Sequence, residues 1–176
     1  MSFDRSRWNA RYAAGRGPRQ PNPRLQQLMP QLKQGLVLDL AGGVGANVCL
    51  FTRSTVIVMD ISDEALRQGT CDVALRVQAD ASALPFAPNT FDTIVCAYFF
   101  DPTIDFAALL CDGGTLFFET YTLADSKYRP DFNPAHRFDP ARRFEIFRGL
   151  DILRCEETDD GTRIFATLVA RKPSMP

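Results

Sequence analysis

The chain has 176 residues, 45% of them hydrophobic, which suffices for one sizeable core, so a single domain spanning residues 1–176 is expected. Twenty Lys and Arg against 21 Asp and Glu leave a net charge of −1, and this excludes the global basic field used for non-specific binding of nucleic acid or membrane surfaces. Five cysteines without a C-x-x-C pair and a single histidine, His136, exclude a disulfide framework and a Cys/His metal site, while the opening MSFDRSRWNARY has no apolar targeting region; a reduced, cytoplasmic protein with no metal and no membrane partner is expected.

In chain order, the first predicted element is a helix over Ser6 to Ala14 that stops at Gly15, with Trp8 and Tyr12 four apart on one face. Residues 1–24 hold six arginines against Asp4 alone, an excess of five positive charges. After the turn-rich GRGPRQP stretch, Asn22 and Pro23 supply an N-cap and first-turn proline for a helix through Leu25, Leu28 and Leu32, which Pro30 shortens and Gly35 ends. Residues 1–34 thus read as a helical segment ahead of the first strand.

From there short aliphatic runs alternate with helical ones. GLVLDL, TVIVMD, LRVQAD, FDTIVCAYFF and GTLFFETY read as five strands. Helix-like NVCLFTR, a helix opening at Ser62-Asp63-Glu64 and a short helix over Thr103 to Leu110 lie between them. That alternation predicts βαβ units and a parallel sheet buried on both faces. TLADSKYRPDFNPAHRF follows, a proline-interrupted stretch of the length that marks a functional or a disordered loop. Asp139 and Pro140 open a helix through Phe147, and LDILRCEET and RIFATLVARK form an antiparallel hairpin around Asp159-Asp160-Gly161. The fold class expected is α/β, a doubly wound, mostly parallel seven-stranded sheet with a C-terminal antiparallel hairpin and helices on both faces.

Three signals point to a nucleoside-bearing ligand at the carboxyl ends of the strands. VLDLAGGVGANV puts Gly43 and Gly45 at a strand end, where a tight turn and a bare backbone admit a ligand closely. A dinucleotide fingerprint needs a third glycine at position 48, which is Val48. Asp60 ends the second strand, where a carboxylate can accept both ribose hydroxyls, and Asp80 follows the third, where it can accept from an adenine amine while the Ala81 N–H donates to a ring nitrogen.

The order LDLAGGVGAN, VMDIS, QADASALPFAPNTFDTIVCAYFF, LCDGGTLFFETY resembles the motifs of the class I, Rossmann-like S-adenosylmethionine-dependent methyltransferases. Within them, RWNARYAAG, FFETY and NPAHRFDPARRFEIFRGLDILRCEE look like the small bacterial tellurite-resistance and thiopurine-type enzymes. The resemblance implies S-adenosylmethionine as cofactor. It implies that Asp39, Ala41, Gly43 and Gly45 wall its methionine side, that Asp60 and Ile61 hold the ribose, and that Asp80 and Ala81 read adenine. It further implies that Ala97 and Tyr98 close the pocket and that Trp8, Arg11 and Tyr12 form an N-terminal lid. Ala41 stands where many members have glycine, a replacement that is harmless where the backbone keeps a negative φ.

Methyl transfer to a small-molecule acceptor is the function expected, with a degenerate binding or regulatory module as the alternative. A nicotinamide oxidoreductase is opposed by Val48 and by the lack of a Tyr-x-x-x-Lys pair, and no N-P-P-Y motif or basic track points to nucleic acid. Tyr98, Asp101, Glu119, Tyr121 and His136 all fall near the expected mouth, and the residue types do not choose a base among them. Arg129, His136 and Arg137, in the long loop after the fifth strand, would give the acceptor wall a positive character.

Overall fold

The computed structural model describes residues 3–69 and 71–174. The elements are α1 (Phe3–Ala13), α2 (Pro23–Leu28), β1 (Leu36–Leu40), β2 (Thr55–Asp60), α3 (Asp63–Arg67), β3 (Leu75–Gln78), β4 (Phe91–Ala97), α4 (Phe106–Leu109), β5 (Leu110–Tyr121), α5 (Arg143–Ile146), β6 (Asp151–Asp159) and β7 (Ile164–Arg171). One seven-stranded sheet runs β3-β2-β1-β4-β5-β7-β6. β3 to β5 pair in parallel and β7 pairs antiparallel with both β5 and β6, as the alternation and the terminal hairpin predicted.

Strand side chains alternate between the two faces, and the burial follows that period. Val37, Val56, Val58, Val95, Phe117 and Val169 pack on one face under Leu25, Leu28 and Leu32 of the α2 region. Leu38, Leu40, Met59, Ile94, Cys96, Leu116, Phe118, Leu168 and Ala170 pack on the other, against Phe106, Leu109, Phe138 and Phe147. Asn22 caps α2 through side-chain bonds to the Arg24 and Leu25 N–H groups, and Pro30 falls in a 3₁₀ turn (Met29–Gln31) that ends the helical segment.

Helices are shorter than the sequence suggests. NVCLFTR forms only a 3₁₀ turn over Val48–Leu50, because β2 opens at Thr55 and Asn47 spends its side chain on Asp39 and on the Asn22 N–H instead of capping a helix. The helix expected over Thr103 to Leu110 is confined to Phe106–Leu109, because Leu110 already pairs with Phe91; the ladder then shifts register before Thr115 meets Thr93. The Asp139 helix starts as a 3₁₀ turn, Pro140–Arg142, before α5. The proline-interrupted loop is ordered by 3₁₀ turns at Leu123–Lys127 and Pro134–His136 and by a bridge between Thr122 and Phe138.

Phe118 is 1% exposed and makes edge contacts with four rings, Phe100, Phe106, Phe138 and Phe147, at centroid distances of 6.2, 6.4, 5.4 and 5.0 Å. Phe118→Ala empties the centre of that cluster and is expected to cost about 3–5 kcal/mol in urea unfolding; a loss under 1 kcal/mol would mean that the cluster does not hold α4, α5 and the Phe138 loop to the sheet.

Candidate functional site

The site forms at the carboxyl ends of β1, β2 and β4, where the strand order turns outward in both directions from β1 and β4. Residues 41–45 cross this edge with three positive φ angles: Ala41 at +54°, Gly43 at +59° and Gly45 at +73°. The left-handed Ala41 corrects the expectation of a negative φ there; an alanine in that region is strained by about 1–2 kcal/mol. Gly43 donates its N–H to Asp60 Oδ2 at 2.8 Å, and Asp60 Oδ1 accepts from the Ser62 N–H at 2.8 Å. The acid at the end of β2 therefore ties the glycine loop to the start of α3. Burial raises its pKa, against those backbone donors.

Asp39 sits beneath the same loop, 1% exposed. Its donors are the Asn47 amide at 3.4 and 3.5 Å, too long to satisfy a carboxylate fully, and burial pushes its pKa up to about 7. A Cβ on Gly42 would strike this carboxylate, so glycine at 42 is a steric requirement.

Asn47 extends the polar chain. Its Oδ1 accepts the Asn22 N–H at 3.0 Å. Asn22 in turn donates its amide to Glu119 Oε1 at 2.6 Å and to the Tyr98 hydroxyl at 3.1 Å, and Thr167 donates to Glu119 Oε2 at 2.7 Å. Glu119 and Asn22 are 6% and 4% exposed. Neither Asn22 nor Asn47 was singled out as a site residue; the capping role of Asn22 was legible, but its reach across 97 positions to Glu119 was not. Of the five residues near the mouth, the structure joins Tyr98 and Glu119 in one network. Tyr98 holds a left-handed φ of +62°, rare for a bulky residue, and its hydroxyl is kept protonated by burial and by Glu119.

α1 lies over the loop. Arg5 and Asn9 bond the Asp63 carboxylate at 2.9 and 2.8 Å, Ser62 Oγ donates to Asn9 Oδ1 at 2.6 Å, and Gln68 donates to the Tyr12 carbonyl at 3.1 Å. The Arg5 and Asn9 contacts hold Asp63 low, at a pKa of about 2. Tyr12 is buried with Val44, Ala46 and Ala65, with Trp8 packed against them. Its ring fits between Gly17 and Gly43, where a Cβ on either would collide with it. Burial and the Asp60 charge push its hydroxyl pKa up. Arg11, by contrast, is exposed, with its guanidinium 5.6 Å from the Trp8 ring centre.

Of the remaining expected positions, Ile61 and Ala97 are half-buried at the ends of β2 and β4. Asp80 is exposed after β3; its Oδ1 accepts from the Ser82 N–H and hydroxyl, which lowers its pKa, and Ala81 beside it is half-buried. Arg129 and His136 are exposed, whereas Arg137 is buried and bonds the Arg129 carbonyl.

An under-satisfied acid facing a glycine loop suits a cationic amine, and a second acid bonded to the same loop suits a ribose diol. These are the polar groups of S-adenosylmethionine, so the residues fit that cofactor. Linkage gives Asp39 a test of its own. Its folded pKa lies above its unfolded one, so its contribution to stability is present below about pH 4 and is lost as pH rises to about 7. Asp39→Asn is therefore expected to gain on the wild type in urea unfolding as pH is raised from 4 to 8, by up to about 4 kcal/mol; parallel pH profiles would place the charge of Asp39 in solvent.

Residues 38–112 match the family described as Methyltransferase domain. The chain is 37% identical over 76 residues to the ubiquinone/menaquinone biosynthesis C-methyltransferase UbiE of Blochmanniella pennsylvanica, covering 36% of this chain and 30% of that one. It is 32% identical over 133 residues to the malonyl-[acyl-carrier protein] O-methyltransferase of Herminiimonas arsenicoxydans, covering 69% and 51%. The matched segments thus span about a third to a half of these relatives. Among solved structures, a SAM-dependent methyltransferase from Methanosarcina mazei superposes with a TM-score of 0.68 at 18% identity, over 89% of this chain and all of that one. The [4+2]-cyclase SpnF superposes with a TM-score of 0.67 at 16% identity, over 86% and 81%. The chain has the class I, Rossmann-like S-adenosylmethionine-dependent methyltransferase fold, with S-adenosylmethionine as the cofactor of that fold.

Proposed function

We propose that this chain transfers a methyl group from S-adenosylmethionine to a small-molecule acceptor. The observation that carries the reading is the pair of buried acids, Asp39 and Asp60, bracketing one glycine loop under Tyr12. Relatives named as a C-methyltransferase and an O-methyltransferase support methyl transfer and differ in acceptor. The narrower likeness to tellurite-resistance and thiopurine-type enzymes, the single-domain organisation, a cytoplasmic location and the absence of a nucleic-acid partner belong to the same proposal.

Bound S-adenosylmethionine supplies a methyl group already activated by the positive sulfonium. The chain's contribution is alignment and exclusion of water. Asp39 would take the amino group of the methionine end, with Ala41, Gly43 and Gly45 leaving backbone room beside it. Asp60 would take the ribose with the lone pairs that Gly43 and Ser62 leave free, flanked by Ile61. Asp80 and Ala81 would face the adenine edge, and Ala97 and Tyr98 the end of β4. Tyr12 and Trp8 would roof the site, an aromatic cover that stabilises a cation without attacking it. Arg11 serves the roof through its contact with Trp8. On the acceptor side, the Tyr98 hydroxyl, which burial and Glu119 keep protonated, would position an acceptor that arrives deprotonated or needs no base.

A non-catalytic binding module is the second reading, favoured by the seating of Tyr12 directly on Gly43, which closes the site. Titration calorimetry with S-adenosylmethionine, S-adenosylhomocysteine and NAD, followed by a methyl-transfer screen, separates the two. Asp60→Ala is expected to weaken S-adenosylhomocysteine at least tenfold, the value of one lost charge-assisted bond; unchanged affinity would remove Asp60 from the cofactor site. Deleting residues 1–16 is expected to weaken S-adenosylhomocysteine more than it lowers thermal stability, and equal affinity with and without them would reduce α1 to a packing element.

A further inference from the structure

Among the described residues, two buried side-chain polar atoms have no hydrogen-bond partner, Thr122 Oγ1 and Arg137 Nε, and both lie between β5 and α5. The arginine matters more, because a buried charge without full pairing is costly. Arg137 is 6% exposed and donates through Nη2 to the Arg129 carbonyl. The buried acid that acts on it, Asp125, is already taken: Arg163 binds both its oxygens at 2.9 Å, and the Ile164 N–H adds a third bond at 2.9 Å. Asp160, the other acid acting on Arg163, is exposed and turned to the Thr162 and Arg163 N–H groups. Arg163 thus occupies the buried carboxylate that acts on both guanidinium groups, and among the described residues Arg137 makes no ion pair.

Arg137 lies on the acceptor side of the sheet. Thr122 and Phe138 pair as a parallel bridge, and Phe138 enters the core beneath the opposite face. By alternation, their preceding residues Tyr121 and Arg137 share the other face. That face carries an aromatic wall. Tyr121 stacks on Tyr98 at 6.1 Å, tilts against Phe165 at 5.1 Å and meets Phe132 edge-on at 5.8 Å. The Arg163 guanidinium, 3.5 Å from the Tyr121 ring centre, holds that ring in place. Half-buried Phe132, a loop residue that also meets Tyr121, lies across the Arg137 guanidinium at 5.6 Å.

We propose that the acceptor site takes a planar aromatic carboxylate, its ring on Tyr98, Tyr121 and Phe165 and its carboxylate on Arg137, with Phe132 swinging aside to admit it. A monoanion supplies the ion pair that Arg137 lacks, and a flat ring suits a wall of ring faces and edges. The inference rests on the methyl-transfer reading only for what happens next; the site itself is a property of these residues.

Titration calorimetry on the full chain, with and without saturating S-adenosylhomocysteine, tests it with four probes: benzoate, its neutral isostere benzamide, acetate and inorganic phosphate. Benzoate is expected to bind at least tenfold more tightly than each of the others. Arg137→Gln is expected to erase the preference for benzoate over benzamide without altering affinity for S-adenosylhomocysteine. Phe165→Ala is expected to weaken benzoate and leave acetate unchanged, which keeps the proposal testable if Arg137→Gln does not fold. Benzamide binding as tightly as benzoate overturns the charge pairing, and acetate or phosphate doing so overturns the aromatic wall. A protein that prefers benzoate but does not bind S-adenosylhomocysteine would overturn the methyl-transfer reading and keep this site.

Discussion

Glu119 lies between β5 and β7 with both carboxylate oxygens committed, one to the Asn22 amide and one to the Thr167 hydroxyl, and it is closed off from water. A buried acid left unpaired would cost several kcal/mol, so these bonds are obligatory once the sheet has formed. Because Asn22 also caps α2 and passes its N–H to Asn47, which reaches Asp39, one chain of hydrogen bonds fixes α2, the glycine loop, β1, β5 and β7 relative to one another. Asp39 and Glu119 are thus linked through two asparagines. Any movement of the segment before α2 is felt at both.

α1 is attached on the opposite principle, through half-buried polar groups, Arg5 and Asn9 on Asp63, whose mutual attraction is weakened by solvent. Tyr12 and Trp8 bring apolar contact. Gly15, left-handed at φ +69° and open on all sides, ends the helix, while Gly17 packs on the Tyr12 ring. Conformational strain gathers at the same edge: Ala41 and Tyr98, both left-handed, end β1 and β4 on either side of the site.

At the ends of β4 and β5 and the start of β7, the sheet presents rings instead of carboxylates. Tyr98, Tyr121 and Phe165 come from three adjacent strands, and the loop after β5 adds Phe132 and Arg137. The wall is rigid where strands supply it and adjustable where the loop does. That division suits a pocket whose floor positions a reacting group and whose rim admits it.

The sequence by itself determined the strand pattern, because a strand buried on both faces needs a short continuous run of apolar residues, as in GLVLDL, TVIVMD and FDTIVCA. It also determined the place of the glycine loop and of the acids at the strand ends, since only those residue types satisfy tight turns and strand-end acceptors. Asn22-Pro23 announced α2 because capping is a local interaction. Tertiary structure decided what depends on partners distant in sequence. The helix expected at NVCLFTR gave way when Asn47 was drawn to Asp39 and Asn22. Arg137, which by charge alone resembles its neighbours Arg129 and His136, became the buried one because the bridge between Thr122 and Phe138 turns it inward beneath Phe132. Glu119 was drawn into a buried network by Asn22 and Thr167, 97 and 48 positions away. Periodicity and capping act over a few residues and are written in order along the chain; the pairing of buried charges acts through space, and only the fold brings those partners together.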